Sequence, residues 1–274
     1  MTGDSEDPND DEQYHIGLRE GAIEGPVLLP GDPERVGVIA ELWDGVKELA
    51  HHREYRTVSG EYAGEPVAVT STGIGSPSAA IAVEELARVG VETFIRVGSC
   101  GAIQGDIGIG DLVITTGAVR QEGTSDEYVR EEYPATAHDE VVTALVTAAE
   151  RLGHEYHVGV TCSTDSFYAG QSRPGVDGFR AAGAAARTEA LREAGVLNYE
   201  METSAILTLA GLYGLRAGGV CTVYANRETG SFRVAGQRRA AETASLAAAL
   251  LAEMDRTKER SGADRWHAGL SLDG

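Results

Sequence analysis

Apolar positions at 80, 83 and 87, closed by Leu86, Ala87 and Val89, have the spacing that lays one stripe along an α-helix, and Gly90 ends it. Thr93-Phe94-Ile95 with Val97 then forms a β-branched and aromatic run, a short buried strand with Arg96 inside it. The same two periods recur along the chain. Val27-Leu28-Leu29 predicts a strand running into Pro30-Gly31-Asp32-Pro33, where Asp32 suits an N-cap and Pro33 a first helical residue. HHREYRT at 51–57 reads as a strand whose alternation directs Arg53 and Tyr55 to one face and Glu54 to the other. Residues 67–72 predict a strand that passes through two glycines into a helix starting near Pro77. Leu112 to Gly117 predicts a strand, Asp139 to Leu152 an amphipathic helix, and Tyr156 to Cys162 a strand again. Residues 175–193 form a loose excursion ending in a helix, and NYEMETSAI at 198–206 turns from strand to helix. Leu215 to Ala225 is a Val-rich strand, and Val234 to Met254 a long helix carrying Leu246, Leu250 and Met254 on one stripe.

Repeated strand–Gly–helix passages predict an α/β fold. No internal repeat or linker divides the chain, so residues 14–255 are read as a single domain. An acidic tail at 1–13, with almost nothing to bury, precedes it, and a mobile tail at 256–274 follows. A net charge of −20 over 274 residues opposes a nucleic-acid or anionic-membrane surface. Lys47 and Lys258 are the only lysines, an acidic and Lys-poor balance that resembles proteins of salt-loving archaea, whose salt screens self-repulsion. Cys100, Cys162 and Cys221 have no metal-ligand spacing, which argues for reduced thiols and a cytoplasmic location. The chain lacks both a leader and the apolar run of about 20 residues that a membrane span needs.

Against that background a few polar residues stand out. Arg96 needs a partner if buried, and Gly98-Ser99-Cys100-Gly101 after it offers a hydroxyl, unblocked N–H groups and room for an anion; an ion pair with a nearby carboxylate is the alternative. The Pro30–Pro33 turn aims backbone N–H groups at an anion, with Arg35 one turn on, although a plain capped turn explains the same residues. In STDSFYAGQSRP, Phe167, Gln171 and Arg173 could stack on a flat heterocycle and read its edge, or simply form a polar surface loop. Glu200 and Glu202 flank Met201 where a helix begins; the helix dipole accounts for one carboxylate but weakly for two. His15 stands alone near the terminus, where a histidine is more often a surface or packing residue than a functional one.

Taken together, PGDPERV, HHREY, STGIGSPSAAIAVEEL, FIRVGSCGAI, DSFYAGQSR and NYEMET resemble, in order and spacing, the uridine-directed branch of the nucleoside phosphorylase family over roughly residues 14 to 252. The resemblance implies a three-layer α/β/α sandwich with a central mixed, partly barrel-like sheet. It implies phosphorolysis of uridine, with uridine and inorganic phosphate as substrates and no cofactor needed for the chemistry. By position, Gly31, Arg35, Arg96 and Ser99 would bind phosphate, and Arg53 would reach the phosphate of a neighbouring subunit. His15 would be lent across the dimer to the ribose 5′-hydroxyl, with Ser99, Met201 and Glu202 against the sugar. Phe167, Gln171, Arg173 and Arg227 would hold uracil, and the catalytic set would be Arg96, Glu202, Gln171 and Arg173. Ser99 stands where a threonine is expected. Asn226, before Arg227, stands where purine-directed relatives place a proton-donating aspartate. Glu54, the Ile74 carbonyl and Ser78 match a potassium site at the dimer interface, and the assembly implied is a hexamer of three dimers. A purine phosphorylase of the same fold and a non-catalytic nucleoside-binding module are the alternatives.

Overall fold

Phe94 and Ile95 are fully buried, and the strand that carries them is the axis of the molecule. The computed structural model describes residues 12–270, so residues 1–11 of the expected acidic tail and 271–274 of the expected C-terminal tail lie outside the described residues. In chain order the elements are β1 (Val27–Leu29), α1 (Pro33–Ala40), β2 (Asp44–His52), β3 (Tyr55–Tyr62), β4 (Glu65–Thr70), α2 (Ser76–Arg88), β5 (Thr93–Ala102) and β6 (Leu112–Gln121). There follow β7 (Ala135–Thr136), α3 (Asp139–Leu152), β8 (Tyr156–Thr164), α4 (Ala184–Glu193), β9 (Asn198–Glu200), α5 (Thr203–Leu212), β10 (Arg216–Asn226), β11 (Ser231–Phe232) and α6 (Gln237–Ser261).

All the strands belong to one mixed sheet. β10 pairs with both β5 and β6, while β6, β8, β9 and β5 pair in succession, so these strands close a small ring. From β5 an open arm continues through β1, β4, β3 and β2. α1, α3 and α6 share one apolar core and α2 and α5 another, which gives the sheet a helical layer on each face. This is a single α/β domain with a sheet closing into a partial barrel, as expected. α5 is apolar all round because it is buried along most of its length, whereas α3 buries one stripe, Val141, Leu145 and Ala148. No helix among the described residues is long and apolar enough to cross a membrane.

Three expectations need correction. Arg53 and Glu54 are not in a strand: they form the two-residue turn between β2 and β3, with Arg53 at a left-handed φ of 55°. Gly98-Ser99-Cys100-Gly101 is not a loop of free N–H groups but the second half of β5, paired with β10 along its length and with β9 at Gly101 and Ala102. Finally, the chain does not become a loose tail at residue 256, because α6 continues to Ser261. Charges hold that extension. Arg216 makes two 2.8 Å bonds to Asp255, Lys258 reaches Glu140 at 2.8 and 3.0 Å, and the Trp266 N–H donates to Glu140 at 2.9 Å.

Candidate active site

A cavity of about 680 Å³ opens outside the carboxyl ends of the parallel strands β1, β5 and β10, and the loop after the oppositely running β8 also lines it. Gly31 and Arg35 enter it from the β1–α1 turn, Arg96 and Ser99 from β5, Phe167, Gln171 and Arg173 from the loop after β8, and Met201 and Glu202 from the β9–α5 junction. Glu54, Ile74 and Ser78 also line it. Of the remaining candidates, His15, Arg53 and Arg227 do not.

Asp32 N-caps α1 by accepting from the Glu34 N–H at 2.9 Å, which fixes the turn that brings Gly31 and Arg35 inward. Gly31 has no room for a side chain, since a Cβ there would lie 2.9 Å from the Gly73 carbonyl oxygen. Arg96 is 4 % exposed. Its guanidinium lies close against Gly98, where a Cβ would stand 3.0 Å from Nη2, and the Arg96 Cβ lies against Gly219, where a Cβ would stand 3.2 Å away, which suits glycines in the middle of two strands. Nη2 makes a short ion pair with Glu202, and Nη1 donates to the Leu29 carbonyl at 3.3 Å. The ion-pair alternative for Arg96 is thus realised, but inside the cavity. Its Nε is 3.7 Å from Glu200 and is buried without a hydrogen-bond partner.

The two carboxylates flanking Met201 divide the work at the start of α5. Glu200 accepts from the Glu202 and Thr203 N–H groups, both at 2.9 Å, and from the Ser163 hydroxyl, so it is the helix cap. Glu202 is freed from capping; it faces Arg96 and accepts from the Gly75 N–H at 2.6 Å. Burial would pull the Arg96 guanidinium down, but Glu202, then Cys221 and Glu200, outweigh it and hold Arg96 above its ordinary value. Burial also raises the Glu202 carboxyl, with Arg96 opposing and Glu200 adding. Arg96 is thus held charged by the groups around it, while Glu202 rises chiefly because burial penalises its charged form.

In the loop after β8 the Arg173 guanidinium lies over the Phe167 ring, its carbon 4.2 Å from the centroid. One face of the ring expected to stack on a heterocycle is therefore covered by the arginine expected to read its edge. Burial, and then the nearby Arg227, lowers the Arg173 pKa, and its Nε is buried without a partner. A Cβ on Gly101 would stand 3.4 Å from Arg173 and 3.7 Å from Arg227, so the bare strand seats both. Arg227 supports the loop from behind by donating to the Gln171 carbonyl at 2.6 Å. Asn226 is structural too: its amide donates to the Gln104 and Ile107 carbonyls, and its oxygen accepts from the Glu228 and Thr229 N–H groups.

Outside the cavity, Tyr14, His15, His52, Arg53 and Tyr55 cluster beside its rim. Tyr55 donates to the Ser78 carbonyl at 3.0 Å, which ties this cluster to the cavity wall. Glu54 and Ser78 both crowd Gly73, where a Cβ would lie 2.9 and 3.1 Å from them, and Ser78 donates to the Ile74 carbonyl at 3.2 Å. The potassium candidates are therefore brought together, and they offer only oxygen. All three cysteines are buried and free, with Cys162 and Cys221 pushed up to about 12 by burial.

Sequence reasoning missed Glu85, which is 7 % exposed and grips His15, and it gave no role to Tyr199 and Tyr224 in the cavity wall. The signal for Glu85 was present: an acid in helical register with Ala82 and Val89 cannot face solvent when they are buried.

A family model for the Phosphorylase superfamily matches residues 27–253. The chain belongs to the phosphorylase superfamily. Among its relatives, a uridine phosphorylase of Thermococcus kodakarensis is 58% identical over 258 residues, covering 94% of this chain and 93% of that protein. A uridine phosphorylase of Escherichia coli is 47% identical over 220 residues, 78% of this chain and 86% of its own. A guanosine phosphorylase of Halorubrum lacusprofundi is 45% identical over 219 residues, 80% and 86%. The superfamily match spans every residue that lines the cavity and leaves out His15.

Proposed function

We propose that this member of the phosphorylase superfamily cleaves uridine with inorganic phosphate to uracil and ribose 1-phosphate. The observation that supports the reading is that one cavity is lined by Arg35 and Arg96, by Gln171 and Arg173, and by Met201 and Glu202, with Glu202 paired to Arg96. A phosphate oxygen bonds to C1′ as the C1′–N1 bond breaks, and its electron pair leaves with uracil. The transition state is oxocarbenium-like, so the site must concentrate cations around phosphate and donors on the departing base; it needs neither a nucleophilic side chain nor a cofactor.

In this reading Gly31, Arg35, Arg96 and Ser99 hold phosphate. The guanidinium of Arg96, a cation in the wall of the cavity, supports that role. Phosphate binding draws Arg96 partly away from Glu202, whose carboxylate then accepts from the ribose hydroxyls beside Met201 and Ser99. Gln171 and Arg173 donate to the uracil oxygens as charge develops there, with Phe167 against the ring and Arg227 behind the loop. Arg53 and His15, outside their own cavity, serve the site of a second copy. The minimal unit is then a dimer, three of which make a hexamer. Glu54, Ile74 and Ser78 suit a potassium ion at that interface, because a hard monovalent cation takes oxygen donors. Buried free thiols agree with a reducing cytoplasm.

The guanosine phosphorylase relative favours a second reading, action on a purine nucleoside. Against it stands Asn226, an amide committed to four backbone groups and unable to protonate a purine ring. Measuring kcat/KM for uridine, inosine and guanosine with phosphate decides between them. Uridine ahead of both purines supports the proposal, and guanosine ahead of uridine overturns it.

A further inference from the structure

Glu85 is a carboxylate on an otherwise apolar face of α2, and its hydrogen bonds among the described residues go to one short stretch of chain. Oε2 accepts from the His15 and Ile16 N–H groups, both at 2.9 Å, and Oε1 lies 2.6 Å from His15 Nδ1. Ile16 beside it is fully buried, and the His15 ring meets Tyr14 and Tyr55 edge-on at 4.8 and 6.2 Å. Among the described residues Nδ1 is taken by Glu85, and the Nε2 edge of the imidazole is left for a partner. That edge belongs to a histidine absent from its own cavity and set beside Tyr14, which is 68 % exposed, and the Arg53 turn.

We infer that Glu85 is a positioning residue for the reaction: it clamps the backbone at residues 15–16 and takes the Nδ1 proton of His15, so that Nε2 is presented as an acceptor to the ribose 5′-hydroxyl in a second copy's site. A carboxylate at 2.6 Å accepts, so Nδ1 donates, and in the neutral ring this leaves Nε2 as the acceptor. A histidine tethered only by the chain near a terminus would sample many orientations; two backbone bonds and a ring bond to one buried carboxylate remove that freedom. The inference rests on the assignment of His15 to the 5′-hydroxyl under the proposed function.

The test compares uridine with 5′-deoxyuridine, which lacks the hydroxyl, in the wild type, His15→Ala and Glu85→Gln. The wild type should favour uridine in kcat/KM by roughly tenfold, the value of one buried hydrogen bond. Both variants should shrink that preference to near one, with the phosphate KM unchanged. If His15→Ala erases the preference and Glu85→Gln keeps it, the inference about Glu85 fails while the proposed function stands. Equal losses on the two substrates in Glu85→Gln reduce Glu85 to a structural residue and also overturn the inference. Retention of the preference in both variants overturns the role of His15 itself. Should Glu85→Gln not fold, the 15N shifts of the His15 ring in the wild-type enzyme decide: a protonated Nδ1 supports the clamp, and an Nε2–H tautomer contradicts it.

Discussion

Arg96 joins the strand on which the sheet turns to the chemistry at its end. A guanidinium so deeply buried is stable only while its charge is answered, and Glu202 answers it in the free enzyme. Under the proposed function, replacing Arg96 by Ala removes a charge-assisted bond to phosphate, and it leaves two buried carboxylates without their cation. We expect a loss of about 3 kcal/mol or more in transition-state binding, a hundredfold or greater drop in kcat/KM. Near wild-type activity with an unchanged phosphate KM would remove Arg96 from the phosphate site. Gln171→Ala and Arg173→Ala alter the groups proposed to meet the base, and each should lower kcat/KM for uridine much more than it raises the phosphate KM. Equal effects on both substrates would mean that the loop, which Arg227 and Phe167 brace, has collapsed.

Among the elements, those with a clean apolar period could be read from the chain. α3 is bounded by Asp139 and Leu152, as its stripe predicts, and α1 begins with the expected Asp32 cap and Pro33. β5 was legible only to Val97, because glycines are depleted from strands and Gly98 and Gly101 therefore suggest a loop. They are strand residues because Arg96, Arg173 and Arg227 lie against them, a constraint that pairs distant segments. The Arg53–Glu54 turn hid for a related reason: neither residue is a usual turn former, and the register of β2 with β3 places them. α6 outran its apolar stripe because its last turns are held by ion pairs. In that network burial would raise the carboxyls, but Lys258, the Trp266 N–H and Arg216 hold Glu140 below its usual range, and Arg216 with Lys258 does the same for Asp255. Groups lowered by folding stabilise fully above the ordinary carboxylate range, and that stability is lost as pH falls through it and below. Thermal stability should therefore drop between about pH 5 and pH 3, and Glu140→Gln should flatten that limb. An unchanged acid limb in Glu140→Gln would show that the network contributes nothing to it.

For the molecule as a whole, the residues gathered into the cavity come from separate parts of the chain, and no local pattern could have joined them; their order and spacing could. What one chain leaves outside its cavity, His15 and Arg53, tests the assembly. In a preparation shown to have exchanged subunits, inactive Arg53→Ala and inactive Arg96→Ala should restore activity. A mixed dimer has one site with both lesions and one with neither, so random pairing restores about a quarter of the sites. Activity at the level of either variant alone would mean that Arg53 acts within its own chain or not at all. The central claim is tested most directly by incubating the wild-type enzyme with uridine in high-potassium buffer, with and without inorganic phosphate, and measuring uracil and ribose 1-phosphate. The account predicts equal amounts of the two products, formed only when phosphate is present. Uracil released equally well without phosphate, or none released with it, would contradict the account.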